Sequence, residues 1–395
     1  MKYFDVFTKV NKIIAALLIV AGLTACGSDK SSTESTSLDI KSMEVVDVDS
    51  SQLFTEKEEE NNDFVYKIDS SKLSGFDASS NLHWAIQDHL QQGKDIFLLK
   101  KFYELGDENG KKYQVELYDE KNSVSNVVYE IPDAYLVNEF SVGGDYLYWV
   151  EYHYDENEKL TTYKIVQFDT KNSSTKELGL RKENQYAEIC LYANDKYVTW
   201  YDSALSEDKK STIDKITVFD VVKKDFCDMS QINSGKIISY NTRLPITDGC
   251  VTYFTVDEKN NVNINRTNIS DKSTITINIG SLSQNKKIDD CFSTKSFIGW
   301  KVNDLKKAYY VYEIKTKKLY KIDADNILSI VCNDKKLYAS YQNDKDCVKS
   351  FDFENFETKN YNLHGLDSLF LVEYDKDLIG VQIQGLDENG LIKLN

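Results

Sequence analysis

The feature that most constrains this chain is a short segment that returns seven times. "DIFLL", "DYLYW", "KYVTW", "GCVTY", "SFIGW", "KKLYA" and "KDLIG" share a central apolar residue, at Ile96, Leu147, Val198, Val251, Ile298, Leu337 and Leu378. The intervals between them are 51, 51, 53, 47, 39 and 41 residues. Trp149, Trp200 and Trp300 occupy one place in the repeat, and Tyr253 is a fourth aromatic there. Further on, the next apolar run meets turn residues, in "LYDEKN" (Asp119), "QFDTKN" (Asp169), "VFDVVKK" (Asp220) and "EIKTKK" (Lys315). Another apolar run precedes each segment, as in "YLVNEFSV" from Tyr135, "AEICLYA" from Ala187, "ILSIVC" from Ile327 and "LFLVEY" from Leu369. The runs are rich in Tyr, Val, Ile, Phe and Trp and alternate with period two, which is strand patterning. Each unit therefore reads as about four strands.

A lone four-stranded sheet cannot bury both faces. Units of 40–50 residues with four strands solve this by stacking radially, each sheet on the next, with the recurring aromatics between them. The expected fold is all-β: a seven-bladed β-propeller of four-stranded antiparallel blades over residues 63–395, about 48 residues per blade. A linear solenoid would need polar end caps, and a β-sandwich would not repeat at this period. The last unit offers only three strands before Asn395, which leaves an open edge. "DFVYKI", Asp63 to Ile68, is strand-like and otherwise unpaired. It is expected as the outer strand of the last blade, closing the ring. "SSNLHWAIQDHLQQGK" from Ser79 has both a helical spacing (Leu82, Ile86, Leu90) and a strand alternation (Leu82, Trp84, Ile86). The strand reading makes it the first blade's inner strand, and that is the expectation.

The acidic tetrad in "GDENGKKY" (from Gly106) recurs in "LDENGLIK" (from Leu386), with looser copies "DENEKLTTY" (from Asp155) and "DEKNNVNI" (from Asp257). Asn and Gly tolerate the positive φ of tight hairpins, so the tetrads are expected at hairpin turns. A calcium loop would need oxygen ligands at its third and fifth positions and helical flanks, which the pattern does not supply.

The N-terminus carries a separate signal. Lys2, Lys9 and Lys12 precede "IIAALLIVAGL", Ile13 to Leu23, an apolar run of eleven residues. A spanning helix needs about 20, so this run fits the h-region of a secretory signal. "LTAC", Leu23 to Cys26, followed by Gly27 and Ser28, resembles the lipobox of bacterial lipoproteins. That resemblance implies cleavage after residue 25 and lipid attachment at Cys26, which becomes the mature N-terminus. Two or more acyl chains anchor stably where one does not. "GSDKSSTESTS" and, later, "TEKEEENND" from Thr55 are polar and without periodicity, so 26–62 reads as a flexible acidic Ser/Thr-rich tether. The expected organisation is a lipoprotein signal peptide over 1–25, the tether over 26–62 and the propeller over 63–395. The formal charge is −16, and residues 1–25 contribute Lys2, Lys9 and Lys12 against Asp5, so the charge after cleavage is more negative still. Such a surface repels nucleic acid and anionic lipid headgroups, and neither is expected as a partner.

The repeat resembles WD40-like and TolB-like propellers, and especially the propeller lipoproteins of Gram-positive bacteria. That resemblance covers Asp63 to Asn395. It implies a monomeric propeller held by a lipid anchor at the outer face of a bacterial cell membrane.

Little in the chain points to catalysis. His83, His89, His153 and His364 show no ligand spacing with each other or with a cysteine, so no metal or cofactor is expected. There is no G-x-S-x-G elbow and no Ser-x-Asp-x-Gly-x-x-Trp box. Carboxylates number 64, too many for a catalytic pair to be picked by pattern. Cys190, Cys227, Cys250, Cys291, Cys332 and Cys347 are expected as buried free thiols, although an exported chain permits disulfides. Most of the 26 tyrosines alternate within strands and suit them on their own account. Tyr186 in "RKENQYAE", and Tyr240 and Arg243 in "ISYNTRLP", lie instead between blades and are the candidate ligand-face residues. The expected function is a surface-anchored binding or scaffold module for an envelope protein, peptide or glycan. The alternative is a polysaccharide-active enzyme, a hydrolase or lyase.

Overall fold

The computed structural model describes residues 36–48, 58–60 and 63–394, apart from the connections 74–81, 105–106, 133, 135, 155–159, 183–188, 206–211, 239–243, 282–286, 304–307, 324–326, 342–346, 355–357, 364–368, 376–377 and 385–387. The fold is a seven-bladed all-β propeller. Blade 1 comprises Leu82–Gln92, Asp95–Glu104, Asp107–Asp119 and Val124–Ile131. Blade 2 comprises Leu136–Gly143, Tyr146–Tyr154, Leu160–Asp169 and Ser174–Lys182. Blade 3 comprises Tyr192–Ala193, Tyr197–Leu205, Thr212–Asp220 and Asp225–Phe226. Blade 4 has Cys250–Val256, Asn261–Asn268 and Thr274–Ser281, with Ile237–Ile238 and Ile246–Thr247 sharing the innermost position. Blade 5 is Lys287–Ser293, Phe297–Asn303, Ala308–Glu313 and Lys318–Asp323. Blade 6 is Ile327–Cys332, Lys336–Tyr341, Cys347–Asp352 and Thr358–Asn362. Blade 7 is Leu369–Asp375, Leu378–Gln384 and Glu388–Lys393, completed by an N-terminal strand described below. The ambiguous "NLHWAIQDHLQQ" stretch is the inner strand of blade 1. Among the described residues no helix is long and apolar enough to cross a membrane.

Strand alternation sends successive residues to opposite neighbours. In blade 2, Leu147 and Trp149 pack with Phe97, Leu99 and Val115 of blade 1. Tyr148 and Val150 pack with Val198, Trp200 and Phe219 of blade 3. Seven such buried clusters correspond to the seven blade interfaces. Trp149, Trp200, Trp300 and Tyr253 all lie in them and are buried. A large aromatic buries about 200 Å², which at about 25 cal/mol per Å² contributes about 5 kcal/mol before entropy.

The seventh landmark is corrected by one residue. In blade 7 the side chains facing blade 6 are Ile379, Val381 and Ile383. The other blades turn their landmark toward the preceding blade, so Ile379 and not Leu378 is the equivalent position. "DLIGVQI" has adjacent apolar residues, and a period-two pattern cannot show which faces the core.

The hairpins between third and fourth strands repeat one geometry. The Asp119 carboxylate accepts from Lys121 N (3.0 Å) and Asn122 N (3.2 Å), and Ser123 adopts φ 53°. Asp169 does the same with Lys171 N (2.9 Å) and Asn172 N (3.1 Å), ahead of Ser173 at φ 48°. Asp220 and Asn268 anchor matching turns before Lys224 and Lys272, at φ 58° and 63°. The short polar side chain replaces the missing ladder partner, and the left-handed residue turns the chain back. The Asn122 and Asn172 side chains hold Asp119 and Asp169 below the ordinary carboxylate range.

The acidic tetrads are less uniform than expected. Asp257 does set a tight turn, accepting from Lys259 N (2.9 Å) and Asn261 N (2.8 Å) before Asn260 at φ 60°. The first copy is not a turn: Asp107 pairs with Glu104, so Asp107–Gly110 already run in the third strand. In the last copy Glu388–Gly390 also lie in a strand, and Gln384 pairs with Asn389. The copy at 155–159 lies outside the described residues.

The chain's beginning closes the ring. Strand β4, Phe64–Asp69, pairs antiparallel with Glu388–Lys393, with Leu391 opposite Tyr66. Three earlier strands run parallel to outer blade edges: β1, Thr36–Asp39, on blade 4; β2, Val45–Val48, on blade 5; and β3, Glu58–Glu60, on blade 6. These residues fall in the span read from sequence as a tether. They instead form a belt that visits blades 4, 5, 6 and 7 in turn. Leu38, Ile40 and Met43 pack on the blade 4–5 cluster and Val46 on the next.

The seam between blades 7 and 1 is tied by buried polar groups. His89 Nε2 lies 2.8 Å from the Ile383 carbonyl, and His89 Nδ1 lies 2.9 Å from Tyr66 Oη. A carbonyl only accepts, so Nε2–H donates and Nδ1 accepts the Tyr66 hydroxyl. Gln382 Nε2 donates to Asp88 Oδ1 (2.8 Å) and the His89 carbonyl (2.7 Å). Nearby, Lys100 Nζ and Glu116 Oε2 form a 2.8 Å ion pair at 0% and 4% side-chain exposure. The Lys100 ammonium also sits 4.5 Å from the Trp84 ring centroid.

Candidate functional site: a cleft between blades 2 and 3

The fourth strand of blade 3 is only Asp225–Phe226, whereas that of blade 2 is Ser174–Lys182. Phe226 pairs with Phe219, and Cys227 N then donates to the Val218 carbonyl (2.9 Å) before the chain leaves the edge. From there the Asn233 side chain stands in for the strand. Its Oδ1 accepts from Ile216 N (2.8 Å), and its Nδ2 donates to the Ile216 carbonyl (3.0 Å). An amide side chain satisfies the ladder but projects nothing over the sheet face.

A second device widens the gap. In blade 2 the outer ladder shifts between Ile165 and Val166, which pair with Gly179 and Glu177, leaving Leu178 as the extra residue of a bulge. A Cβ on Gly179 would lie 3.6 Å from both Ile165 Cδ1 and Trp200 Cζ2. With hydrogen in that place, a narrow gap is left beside the edge of the indole.

The result is a cavity of about 150 Å³ lined by Tyr163, Ile165, Leu178, Gly179, Trp200, Asp202, Thr217 and Phe226. Trp200 and Phe226 meet edge to face, with centroids 6.2 Å apart and planes at 78°. Phe219 backs Phe226 at 5.3 Å. Phe226 is 49% exposed and forms the rim, while Trp200 is 2% exposed and forms the base. Asp202 brings the charge. Its Oδ2 accepts from Thr217 Oγ1 (3.0 Å), and its Oδ1 accepts a longer bond from Tyr163 Oη of blade 2 (3.4 Å). Among the described residues the arrangement is a slot lined by aromatic side chains and one fixed carboxylate, spanning two blades.

Trp149 Nε1 donates to Glu151 Oε1 (2.9 Å), and His153 Nε2 stands 3.5 Å from Glu151 Oε2 within blade 2. Among the described residues, no three His, Cys, Asp or Glu side chains are grouped so as to hold a metal ion. Cys227, Cys250 and Cys291 are free thiols. Cys250, Cys291 and Cys332 are buried, but Cys190 and Cys227 are only half-buried. Burial pushes the Cys291 thiol far above its usual range.

Cys26, Tyr186, Tyr240 and Arg243 all lie outside the described residues. Of the cleft residues, sequence singled out only Trp200, and only as filling between blades. The available hint was "DFCDMSQINSG", from Asp225, where a fourth strand should alternate and does not.

No protein-family model matches the chain, and no curated protein matches its sequence. Among solved structures it is similar to a prolyl endopeptidase, with TM-score 0.50 and 9% identity, covering 79% of this chain and 50% of that one. The chain thus spans about half the length of that relative. It is also similar to the β-propeller domain of the Trilobed protease from Pyrococcus furiosus, with TM-score 0.48, 13% identity and coverage of 78% and 93%. An oligogalacturonate lyase follows at TM-score 0.45 and 12% identity, with coverage of 76% and 86%. At these identities the likeness is one of fold alone.

Proposed function

We propose that this propeller is a binding module, lipid-anchored through Cys26 at the outer face of a bacterial cell membrane, that holds an envelope protein, peptide or glycan. The observation that carries the binding reading is the slot between blades 2 and 3. It has an exposed aromatic rim at Phe226 and one carboxylate at Asp202, held by hydroxyls from both blades. Aromatic walls with a few fixed polar groups are how proteins hold small ligand groups. Retaining or inverting glycoside hydrolysis needs two carboxylates about 5–10 Å apart across the scissile bond. The slot's described lining supplies one. Localisation is supported by the basic start, the eleven-residue apolar run and "LTAC".

The test uses the full chain in a Gram-positive host. Labelled palmitate should enter the wild type and not Cys26→Ala, and only the wild type should sediment with membranes and be shaved from intact cells by protease. The detergent-solubilised chain should retain a component of an envelope glycan or peptide array without altering it. New reducing ends or unsaturated sugars released from a polysaccharide would replace the binding reading with an enzymatic one.

A further inference from the structure

We propose that the outer edge of blade 1 is a docking edge for an extended segment of a partner polypeptide, rich in β-branched residues and flanked by lysine or arginine. This edge is separate from the slot between blades 2 and 3 and does not depend on a ligand there.

The outer strand of a blade presents a row of main-chain donors and acceptors that an extended chain can take up. Each of the other six blades guards its row. Blades 4, 5 and 6 pair theirs with β1, β2 and β3. In blade 7 the outer strand is β4, and blade 1 occupies two of its donors: Lys67 N donates to Glu120 Oε1 (3.1 Å) and Asp69 N to Tyr118 Oη (3.1 Å). In blade 3 the Asn233 side chain takes both main-chain groups of Ile216. In blade 2 the outer ladder is regular over Ser174–Glu177, where Lys176 and Glu177 are exposed charges. Charged side chains blunt an edge, lysine above all.

Blade 1 differs. Its outer strand, Val124–Ile131, reads "VSNVVYEI", without lysine or proline, and Glu130 is its one charged residue. Among the described residues no strand pairs with its outer side. Val124 and Val127 are 44% and 49% exposed. The ladder to the third strand is regular from Val124 to Val127, and Val128 is the extra residue of a bulge. Four regular residues remain, the length of both Thr36–Asp39 and Val45–Val48.

The belt and the charge identify the occupant. Three outer strands of this molecule already hold a short added strand, so the mode is established at neighbouring edges. The belt ends at blade 7, and blade 1 is the next blade round the ring. Main-chain pairing supplies affinity and alternate side chains supply selectivity, which only a polypeptide offers. Period-two alternation puts Val124 and Val127 on opposite faces of the strand, so an added strand meets an apolar contact on each face. Glu130 is exposed and the chain carries a formal charge of −16, so a basic flank is drawn in. A second copy, with the same net charge, would be repelled.

The test is a fluorescence-anisotropy titration of the full chain with a labelled, amidated peptide, Lys-Val-Val-Thr-Val-Lys, followed by hydrogen exchange of the complex. Two control peptides carry methyl groups on alternate backbone nitrogens, one set for each edge of the peptide. The parent should bind saturably. One methylated peptide should bind like the parent and the other about tenfold more weakly, because only one edge pairs. Val124→Lys with Val127→Lys, at exposed positions where folding is not at stake, should weaken binding about tenfold. Glu130→Gln should weaken it about threefold at low salt and leave it unchanged at high salt. Exchange should slow at main-chain amides within Val124–Val127. Absence of saturable binding, equal binding of both methylated peptides, undiminished binding by the lysine variant, or protection confined to another blade would each overturn the assignment. Self-association of the peptide-free chain that protects Val124–Val127 would also overturn it, in favour of a second copy as occupant.

Discussion

Acid should loosen the ring at its seam, and one residue sets where this begins. His89 is 1% exposed, and burial pushes its imidazole down from 6.5 to about 4, against a smaller opposing effect of the Ile383 carbonyl. In the unfolded chain the same ring titrates near the ordinary value. Between these pH values the unfolded state binds the extra proton, so stability rises with pH through the window and falls as pH drops through it. The full shift is worth about 3 kcal/mol, of which about 2 kcal/mol is lost between pH 7 and pH 5. The structural cost is specific. A proton on Nδ1 removes the acceptor for the Tyr66 hydroxyl, and Tyr66 belongs to the closing strand β4. The assay is urea unfolding at pH 7 and pH 5 for the wild type and for His89→Gln, which carries no titrating group. Carboxylates contribute equally to both proteins, so the difference between the two pH-dependences isolates the histidine. The wild type should lose about 2 kcal/mol more than the variant over this interval. Parallel losses would refute the reasoning.

Other perturbations follow from the same geometry. Ser123→Gly and Ser173→Gly relieve left-handed backbone at a non-glycine residue and should each stabilise by about 0.5 kcal/mol, read as a higher urea midpoint. Lys100→Met alone strands Glu116 in the seam and should cost about 3–5 kcal/mol, whereas Lys100→Met with Glu116→Leu should come close to neutral in the same unfolding assay. Gly143→Ala places a Cβ 2.5 Å from the Asn194 carbonyl oxygen of blade 3, a backbone atom with little freedom to retreat. It should cost about 1–3 kcal/mol, and the melting temperature should fall accordingly.

The ring was legible in sequence because its cause is local. Each landmark must face one neighbour and its successor the other, so Leu147, Trp149, Val198 and Trp200 can be found by spacing alone. The closing strand was legible for the complementary reason: "DFVYKI" was a strand without a partner, and blade 7 was a sheet without an edge. The belt was not. "TSLD", "VVDV" and "EEE" join blade edges through main-chain pairing, which asks for no side-chain pattern. The slip at Ile379 came from an apolar run that carries no parity. The slot was hidden because it arises from what blade 3 lacks. A strand cut to two residues, a bulge that puts Gly179 opposite Ile165, and Asp202 beside Tyr163 become one site only after blades 2 and 3 have packed.

The belt also fixes an order of events. Thr36 pairs with Ile275, and Phe64 with Ile392, so the first strands to be made find their partners about 240 and 330 residues later. Blades 1 to 3 contain only neighbouring segments and can assemble as the chain emerges. β1 to β4 must wait, bare-edged, until blades 4, 5, 6 and 7 in turn supply their partners, and the loops they close span about 240 to 330 residues. A waiting strand invites wrong pairing, and charge is one defence against it. The three consecutive carboxylates of Glu58–Glu60 repel copies of themselves, so β3 is a strand that a second nascent chain would find hard to capture.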